Sequence, residues 1–335
     1  LCIKIQVQLP AKKLKKATQM LCKDLPDAVE RFVESFDLVE FHQAIALSEK
    51  QNQIRKFLRT SEYCAFVGNG SILPRQKVSD LPLKKAIAFY SPKECEIEIE
   101  GMRGLGIKRG VTVVTGGGYS GKSTFLDAIS AGVYNHYRGD GREYVITDET
   151  GMKITAEDGR SVKNVNISPF IKWIPYGSTT NFSTEHASGS TSQAANIMEA
   201  VQIGSKLLLV DEDKSATNFM IRDAIMKKLI PSEPITPFTD RVIELSKKEK
   251  VSTILVIGGS SEYLGVADKI FMMNDFCMSD QTKLAGELGK NMGSVQDRPE
   301  PVDWSFRRIL QTNEFTTYPE ESKTERLGVS DMGFI

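Results

Sequence analysis

A glycine-rich segment followed by Lys122 and Ser123 has the composition of a phosphate-binding loop. Residues 111–124 read VTVVTGGGYSGKST, so an apolar run enters the glycines and a helical pattern follows them. Glycines lack a Cβ atom, so they can take turn conformations closed to other residues and direct backbone N–H groups at phosphate oxygens. The N-terminus of the following helix adds the positive end of its dipole. The sequence therefore predicts a nucleoside triphosphate site formed by Gly116, Gly117, Gly118, Tyr119, Ser120, Gly121, Lys122, Ser123 and Thr124.

The same motif spacing predicts that this site binds a metal ion and hydrolyses ATP. Lys122 is expected to bridge the β- and γ-phosphates of ATP, and the Ser123 hydroxyl to ligate Mg²⁺. Downstream, the run LLLVDED places Asp211 at the end of a buried strand, where it can hold the water shell of the metal. Its neighbour Glu212 is placed to orient and deprotonate the attacking water. The alternatives are a glycine-rich turn and a strand that ends in surface acids.

Composition is that of a globular protein with reduced thiols. The chain has 335 residues, of which 40% are hydrophobic and 26% are charged. No apolar run approaches the roughly 18 residues that span a bilayer, so no membrane partner is expected. The five cysteines are scattered and lack metal-ligand spacing, which favours an intracellular, reducing compartment over disulfides or structural zinc. Because Leu1 already lies inside an alternating apolar pattern, the sequence is expected to be a fragment.

Charge is divided unevenly along the chain. Residues 1–95 carry 16 Lys and Arg against 10 Asp and Glu, whereas the remainder carries 27 against 33. This asymmetry is typical of a nucleic-acid surface, and the expected phosphate neutralisers are Lys12, Lys13, Lys15, Lys16, Lys23, Lys84 and Lys85. The alternative is an ordinary solvated helix face, since Leu14, Ala17, Leu21 and Leu25 form an apolar stripe beside the lysines.

The pattern of elements changes near residue 95. Upstream, it indicates a strand at 1–9, a basic helix, a second helix at 41–59, and a strand and turn at 64–71. From residue 96 strands alternate with helices, which is typical of a mostly parallel sheet covered on both faces. We predict an α/β fold with a basic N-terminal domain at 1–95, an ATPase core at 96–287 and a C-terminal segment at 288–335, which has one helical candidate at 304–310. Strands are expected at 96–99, 111–115, 144–146, 207–210, 252–257 and 269–273, and helices at 123–130, 194–201 and 237–250.

A second short motif opens an amphipathic helix upstream of the carboxylates. Residues 187–201 read ASGSTSQAANIMEAV, and Ser188-Gly189-Ser190 begins 23 residues before Asp211. The first N–H groups of a helix lack partners within it, so they could face a phosphate. The whole arrangement resembles the ATP-binding-cassette (ABC) ATPases, whose signature sequence stands at this distance. The resemblance implies a P-loop NTPase of ABC-ATPase type, in which the signature of one subunit closes over the nucleotide held by its partner in a head-to-tail dimer.

The resemblance covers residues 96–287 and departs from the family pattern at two places. Residues 215–218 stand where the family has its dimer-interface loop, and STILVIGGS stands at its switch strand. The switch histidine of the family would fall near Gly259, where this chain reads Gly258-Gly259-Ser260. No glutamine occurs between Thr124 and Ser192, where the lid glutamine belongs. Hydrolysis is therefore expected to be slow or differently arranged, with His186 as a candidate substitute.

Several sequence segments are similar to those of a narrower group, the predicted ATPases of the ABC class. They are GVYNHYRGDGREYVITD, ISPFI and DKSATNFMIRD in the core, and GNGSILPR and VSDLPL upstream, which extend the resemblance to about Ala65. Within that group these segments are most similar to those of members that act in kinetoplastid mitochondrial RNA editing. This closer resemblance implies a homodimer, a basic region that binds RNA and a mitochondrial address.

Two further aromatic features have two interpretations each. Cassette ATPases stack the adenine ring on an aromatic residue about 25 positions before the loop, and by position this is Tyr90, with Phe89 beside it. Core packing is the alternative for both. Residues 134–142, YNHYRGDGR, could contact a base or form a structured loop.

Three functions are compatible with these patterns. The first is an ATP-hydrolysing dimer whose closure alters its hold on RNA in mitochondrial RNA processing. The second is a nucleotide-stabilised RNA scaffold that hardly turns over. The third, a soluble motor subunit of a transporter, is disfavoured by the divergent signature and the basic N-terminal domain. A coiled-coil DNA-repair ATPase is disfavoured because no heptad run interrupts the core.

Overall fold

The computed structural model describes residues 6–222, 224–230, 232–290, 299–304, 315–318, 326–329 and 333–334. The chain divides into two compact units, Leu1–Lys50 and Gln51–Ile335. The division into domains that the sequence predicts at residue 95 stays a prediction.

From Leu14 onward the first unit is mainly helical. Helix α1 spans Leu14–Gln19, a π-helical turn spans Met20–Asp24, α2 spans Leu25–Ser35, and α3, Leu38–Thr60, continues into the second unit. No residue of α1 or α2 is buried, and Leu14 is 83% exposed, so the expected apolar stripe forms no core there. The strand predicted at 1–9 is wrong for residues 6–9, which lie in no strand; residues 1–5 lie outside the described residues.

The second unit contains both strands and helices. Its strands are β1 Tyr63–Gly68, β2 Glu96–Ile99, β3 Met102–Lys108, β4 Val111–Gly116, β5 Val145–Thr147, β6 Gly151–Ile154, β7 Val162–Val165, β8 Phe182–Thr184, β9 Leu207–Asp211, β10 Ser252–Val256, β11 Lys269–Asn274 and β12 Cys277–Asp280. Its helices are α4 Lys122–Ala131, α5 Gly189–Gln202, α6 Thr217–Met220, α7 Ala224–Leu229, α8 Phe238–Glu244 and α9 Thr282–Lys290. Three short strands follow, β13 Phe315–Tyr318, β14 Arg326–Val329 and β15 Gly333–Phe334.

A six-stranded sheet carries the expected core. Its order is β12-β11-β4-β10-β9-β6, and every neighbouring pair is parallel except β11 and β12. Both faces are covered, because successive residues of the central strands enter different apolar clusters: Leu208 and Val210 lie in one, Leu207 and Leu209 in the other. Burial on both faces explains why these strands are continuous apolar runs. The predicted α/β fold is confirmed.

A second sheet, which the sequence did not predict, is antiparallel. Its order is β2-β3-β1-β5, so β1 pairs with strands on both sides although it comes first in the chain. Gly104 and Gly106 of β3 permit close packing here, since a Cβ at Gly104 would lie 2.3 Å from the carbonyl oxygen of Val67. Strand β3 escaped prediction because its glycines interrupt the apolar pattern.

The C-terminal segment contributes to the core through Trp304. Its side chain is 5% exposed and meets the ring of Phe170 edge-on, with the ring centroids 5.7 Å apart. Arg241 of α8 donates to the carbonyl oxygen of Glu300 at 2.7 Å and so fixes the approach to the tryptophan. Residues 305–310 of the predicted helix lie outside the described residues.

Two general properties of the chain follow from the described residues. No helix among them has both the length and the apolar character that a membrane span requires. The thiols of Cys22, Cys64, Cys95 and Cys277 are free, and burial raises the pKa of Cys64 to about 12.

Candidate nucleotide-binding site

The glycine loop connects β4 to α4 at the C-terminal edge of the parallel sheet. Gly116 has φ of +148°, and a Cβ there would lie 2.3 Å from the carbonyl oxygen of Met273 in the neighbouring strand β11. Gly121, which precedes α4, has φ of +103°. Gly117 and Gly118 between them are exposed, with no atom within 4 Å of an added Cβ. The loop thus has fixed ends and an open centre, as a cradle for phosphate requires.

Lys122 folds back over this loop. Its side chain is largely buried, and Nζ donates to the carbonyl oxygens of Gly116 and Gly117 at 2.7 Å each. Ser120 is also buried, and its hydroxyl has no hydrogen-bond partner among the described residues. A buried hydroxyl without a partner costs free energy, which a ligand oxygen could relieve. The amine and the hydroxyl fit a bound phosphate chain.

Ser123 and Thr124 lie in the first turn of α4, after the buried Lys122. Both are partly exposed, so the Ser123 hydroxyl and the first N–H groups of the helix remain accessible at the loop. Tyr119 at the tip of the loop is fully exposed and has φ of +59°, a conformation that costs free energy in a non-glycine residue.

The carboxylates lie at the same edge of the sheet. Val256 of β10 pairs with Val114 of β4 on one side and with Asp211 of β9 on the other, so the loop and Asp211 are two strands apart at one level. Asp211 is 2% exposed, and its Oδ1 accepts from the backbone N–H of Asp213 at 3.2 Å. Glu212 follows directly and is half-buried. Parallel pairing through β10 therefore brings together the loop and the carboxylates that the sequence predicted separately.

Glu212 is held by the segment that follows β10. Its Oε2 accepts from the N–H of Gly258 at 2.6 Å and of Gly259 at 3.4 Å, and its Oε1 accepts from the Ser260 hydroxyl. The sequence marked these three residues as the place of a missing histidine, but it did not identify the serine as a partner of Glu212. No local pattern could have done so, since the two residues are 48 positions apart.

The predicted signature forms the start of α5. Ser188 is the N-cap: its hydroxyl accepts from the N–H of Thr191 at 3.4 Å and lies 3.0 Å from the threonine hydroxyl. Ser190 is instead largely buried and donates to Asn218 Oδ1 at 2.8 Å. Gln193 adds a second link to the 215–218 loop, since its Oε1 accepts from the N–H of Ala216 at 2.9 Å. Ser188 and Gly189 are therefore the accessible part of this motif, whereas Ser190 fixes the helix to its neighbouring loop.

Three residues proposed for other roles have clear positions. Phe89 is 2% exposed and packs on Phe125 of α4 with ring centroids 5.8 Å apart, so it belongs to the core. Tyr90 is 65% exposed and stays the candidate for stacking on a base. His186 is exposed, and no side-chain contact of it is recorded among the described residues.

The 134–142 loop is structured by buried charges. Arg142 Nε donates to Asp140 Oδ1 at 2.8 Å, and Arg75 donates to the carbonyl oxygen of Asp140 at 2.7 Å. Burial lowers the pKa of His136 beside them. Tyr134 and Tyr137 remain exposed on the surface of this loop. The buried Asp140 and Arg142 are held as a structured loop requires. Contact with a base stays a prediction, for which Tyr134 and Tyr137 are the exposed candidates.

The close approach at Gly116 yields a first prediction. We expect Gly116→Ala to lower the free energy of unfolding by about 2–4 kcal/mol, because the methyl group would collide with the Met273 carbonyl in an unfavourable backbone conformation. Gly117→Ala, one residue later with free space around it, is the matched control and should cost less than about 1 kcal/mol. Urea unfolding of the two variants measures the difference. Equal stabilities would contradict this loop geometry.

Comparisons of the sequence identify a family and a relative. A family model described as ABC_ATPase, P-loop domain, matches residues 37–305. An uncharacterized protein of Methanocaldococcus jannaschii is 28% identical over 300 residues, which are 84% of this chain and 65% of the relative. The chain thus spans just under two thirds of that relative's length.

Two solved structures are also similar. One is cbiO1 of Clostridium perfringens, described as part of the ABC transporter complex cbiONQ, with a TM-score of 0.42 and 13% identity over 69% of this chain and 94% of that chain. The other is a nucleotide-free ATP-binding cassette from an ABC transporter, with a TM-score of 0.38 and 14% identity over 65% of this chain and 90% of that chain.

Proposed function

Because the chain belongs to the ABC_ATPase family of P-loop domains, we propose that it binds and hydrolyses Mg-ATP as a homodimer and couples the nucleotide state to RNA binding. One observation carries the enzymatic part of the proposal. The sheet brings the glycine loop with Lys122 to the same edge as Asp211 and the fixed Glu212. Each residue type at this edge matches a requirement of phosphoryl transfer, which depends on positioning and charge neutralisation.

The loop and α4 hold the triphosphate in this proposal. Lys122 exchanges its two carbonyl partners for β- and γ-phosphate oxygens, and the exposed loop N–H groups complete the cradle. Ser123 supplies a hydroxyl ligand for Mg²⁺, and the buried Asp211 holds the water shell of the metal. The metal neutralises charge on the phosphates when it is bound.

Glu212 orients the attacking water and accepts its proton. Its carboxylate is anchored by the segment that follows β10. Strand β10 itself lies between β9, which ends at Asp211, and β4, which leads into the phosphate loop. A general base must be fixed near the reacting atoms before the reaction begins. The contacts from Gly258 and Ser260 supply that fixation.

A second copy of the chain completes the site in this proposal. Ser188 and Gly189 at the start of α5 offer a hydroxyl and N–H groups for which no hydrogen-bond partner is recorded among the described residues, while Ser190 holds the helix in place through Asn218. No hydrogen bond or ion pair recorded for the described residues joins 188–190 to the loop 116–121 of the same chain. Closure of two copies head to tail would place this helix end over the γ-phosphate held by the partner. ATP would then stabilise the closed form, because it contacts more protein there.

The RNA part of the proposal is supported by the first unit. The four lysines at 12, 13, 15 and 16 are all exposed around the start of α1, and residues 1–23 carry six lysines and no acidic residue. Such a cluster neutralises phosphates without reading base identity. A role in RNA processing or editing and a mitochondrial location stay predictions that rest on the closer sequence resemblance alone.

A nucleotide-stabilised RNA scaffold is the second candidate. The segment after β10 has Gly258, Gly259 and Ser260 where a histidine was expected. His186 is exposed and its backbone N–H donates to Thr184 Oγ1 at 3.2 Å, but no contact of its side chain is recorded among the described residues. Slow turnover would then leave the nucleotide as a structural ligand. Phosphate release measured with and without single-stranded RNA separates the two candidates, because only the first predicts multiple turnovers. A soluble motor subunit of a transporter is a third, weaker candidate, which would not respond to RNA.

RNA binding is expected to depend steeply on salt. If the cluster makes about four phosphate contacts, affinity for single-stranded RNA should fall roughly 50-fold between 50 and 200 mM salt. Replacing the four lysines with alanine should reduce the slope of log affinity against log salt concentration and weaken binding at low salt. Fluorescence anisotropy with labelled oligonucleotides measures both quantities.

The control removes equal charge from exposed lysines of the second unit, namely Lys172, Lys228, Lys247 and Lys250. It should leave the slope unchanged. Absence of binding by the parent chain at low salt would remove RNA from the proposal, whereas binding lost equally in both variants would contradict the assignment to the first unit.

A further inference from the structure

The segment 257–263 joins the phosphate-loop strand to the catalytic carboxylate. At its start, the N–H of Ile257 donates to the carbonyl oxygen of Val114 in β4 at 3.0 Å. At its end, Tyr263 is fully buried and its hydroxyl donates to the carbonyl oxygen of Met220 at 2.7 Å. Burial raises the pKa of Tyr263 well above its ordinary value, and the nearby charge of Glu212 raises it further, so this donor keeps its proton. Both ends of the segment are therefore fixed in the core.

Between these anchors the segment presents three donors to Glu212. The N–H groups of Gly258 and Gly259 meet one carboxylate oxygen, and the Ser260 hydroxyl meets the other. Ser260 is 4% exposed and immediately precedes the short 3-10 helix Ser261–Gly265, which limits its movement. Because the two carboxylate oxygens are held separately, the carboxylate is restrained in rotation as well as in position.

We propose that Ser260 is a positioning residue that fixes the orientation of the Glu212 carboxylate for hydrolysis; this inference rests on the proposed function. The backbone donors alone contact only Oε2, so they leave the carboxylate free to rotate about that oxygen. The serine hydroxyl on Oε1 removes this freedom. Gly259 has no side chain with which to hold Oε1, and an added Cβ there would meet no atom within 4 Å.

Ser260→Ala tests the proposal, with Ser261→Ala as a matched control that removes a hydroxyl one position later. We expect kcat for ATP to fall about 10- to 100-fold in Ser260→Ala, because misorientation of a catalytic group affects the chemical step. The nucleotide Kd should stay within about twofold, since no hydrogen bond recorded for the described residues joins Ser260 to the phosphate loop. Ser260→Thr, which keeps the hydroxyl, should recover most of the rate.

Amide hydrogen exchange supplies a measurement that needs no nucleotide. In the nucleotide-free protein, exchange at Gly258 and Gly259 should be on the order of 2- to 10-fold faster in Ser260→Ala than in the parent chain, because a less restrained carboxylate protects these amides less well. In Ser261→Ala the amides of Gly258 and Gly259 should exchange at the rate of the parent chain. In a Glu212→Gln background, Ser260→Ala should produce no further loss of rate, because the serine acts through the glutamate.

The outcomes separate this inference from the proposed function. Equal turnover and equal exchange in Ser260→Ala and Ser261→Ala would overturn the role of Ser260 while leaving ATP hydrolysis intact. A weaker nucleotide Kd with unchanged kcat would also overturn it. A parent chain that releases no phosphate would contradict the proposed hydrolysis, and with it the catalytic purpose of Ser260, while exchange would still decide whether the serine restrains Glu212.

Discussion

Lys122→Ala is expected to weaken ATP binding at least about 100-fold. Nζ makes two 2.7 Å hydrogen bonds to loop carbonyls, and a bound phosphate chain would offer it charged acceptors in the same place. Charge-assisted hydrogen bonds contribute about 1.5–3 kcal/mol each, so the loss of two corresponds to roughly 100-fold or more in Kd. Titration with a fluorescent ATP analogue in the presence of Mg²⁺ measures the effect.

Lys153→Ala is the control for this variant. Lys153 on β6 pairs with Asp127 of α4, so its replacement removes one positive charge beside that helix without altering the loop. We expect its nucleotide affinity to stay within about threefold of the parent chain, since exposed ion pairs contribute little. Chemical unfolding of Lys122→Ala shows whether the loop itself persists. A folded Lys122→Ala protein that binds ATP as well as the control does would refute the phosphate-binding role.

Glu212→Gln should stop turnover and leave nucleotide binding intact. The amide retains one oxygen as an acceptor for the donors of the 258–260 segment, but it cannot take a proton from water. Loss of a general base costs about 10²- to 10⁴-fold in rate. ATP would persist between the subunits, so closed dimer should accumulate when Mg-ATP is added, as light scattering after size-exclusion chromatography can detect.

Asp213→Asn is the matched control, because it neutralises the adjacent, exposed carboxylate. Its turnover should remain within about threefold of the parent chain. Hydrolysis by Glu212→Gln at the rate of Asp213→Asn would contradict the assignment of Glu212. If the parent chain already hydrolyses ATP as slowly as Glu212→Gln and still closes with Mg-ATP, the scaffold function replaces the enzymatic one.

Local patterns in the chain predicted most of the parallel sheet. Expected strands at 111–115, 207–210 and 252–257 correspond to β4 Val111–Gly116, β9 Leu207–Asp211 and β10 Ser252–Val256. These strands are buried on both faces, so each appears as an apolar run that can be recognised without its neighbours. Short or exposed strands lack this signal, which is why β6 and the antiparallel pair β7 and β8 were not predicted.

The antiparallel sheet shows why pairing is harder to predict than strand positions. Strand β1 lies between β3 and β5, with Ala65 opposite Ile107 on one side and Thr147 on the other. Partners this far apart in sequence are selected by how whole surfaces pack. Trp304 presents the same difficulty, because a tryptophan in a polar, proline-rich segment gives no indication that it completes a core around Phe170.

By itself the sequence determined the chemistry available to this protein: a glycine loop with Lys122, two acids after a buried strand, and a serine-led helix. These are local features, since glycine conformations, helix starts and buried strands depend on neighbouring residues. Only the tertiary structure decided that β10 would separate the loop from Glu212, that Ser190 would bind Asn218, and that Ser260 would hold the carboxylate. Such contacts join residues 28 and 48 positions apart, and their geometry exists only after the sheet has aligned the ends of its strands.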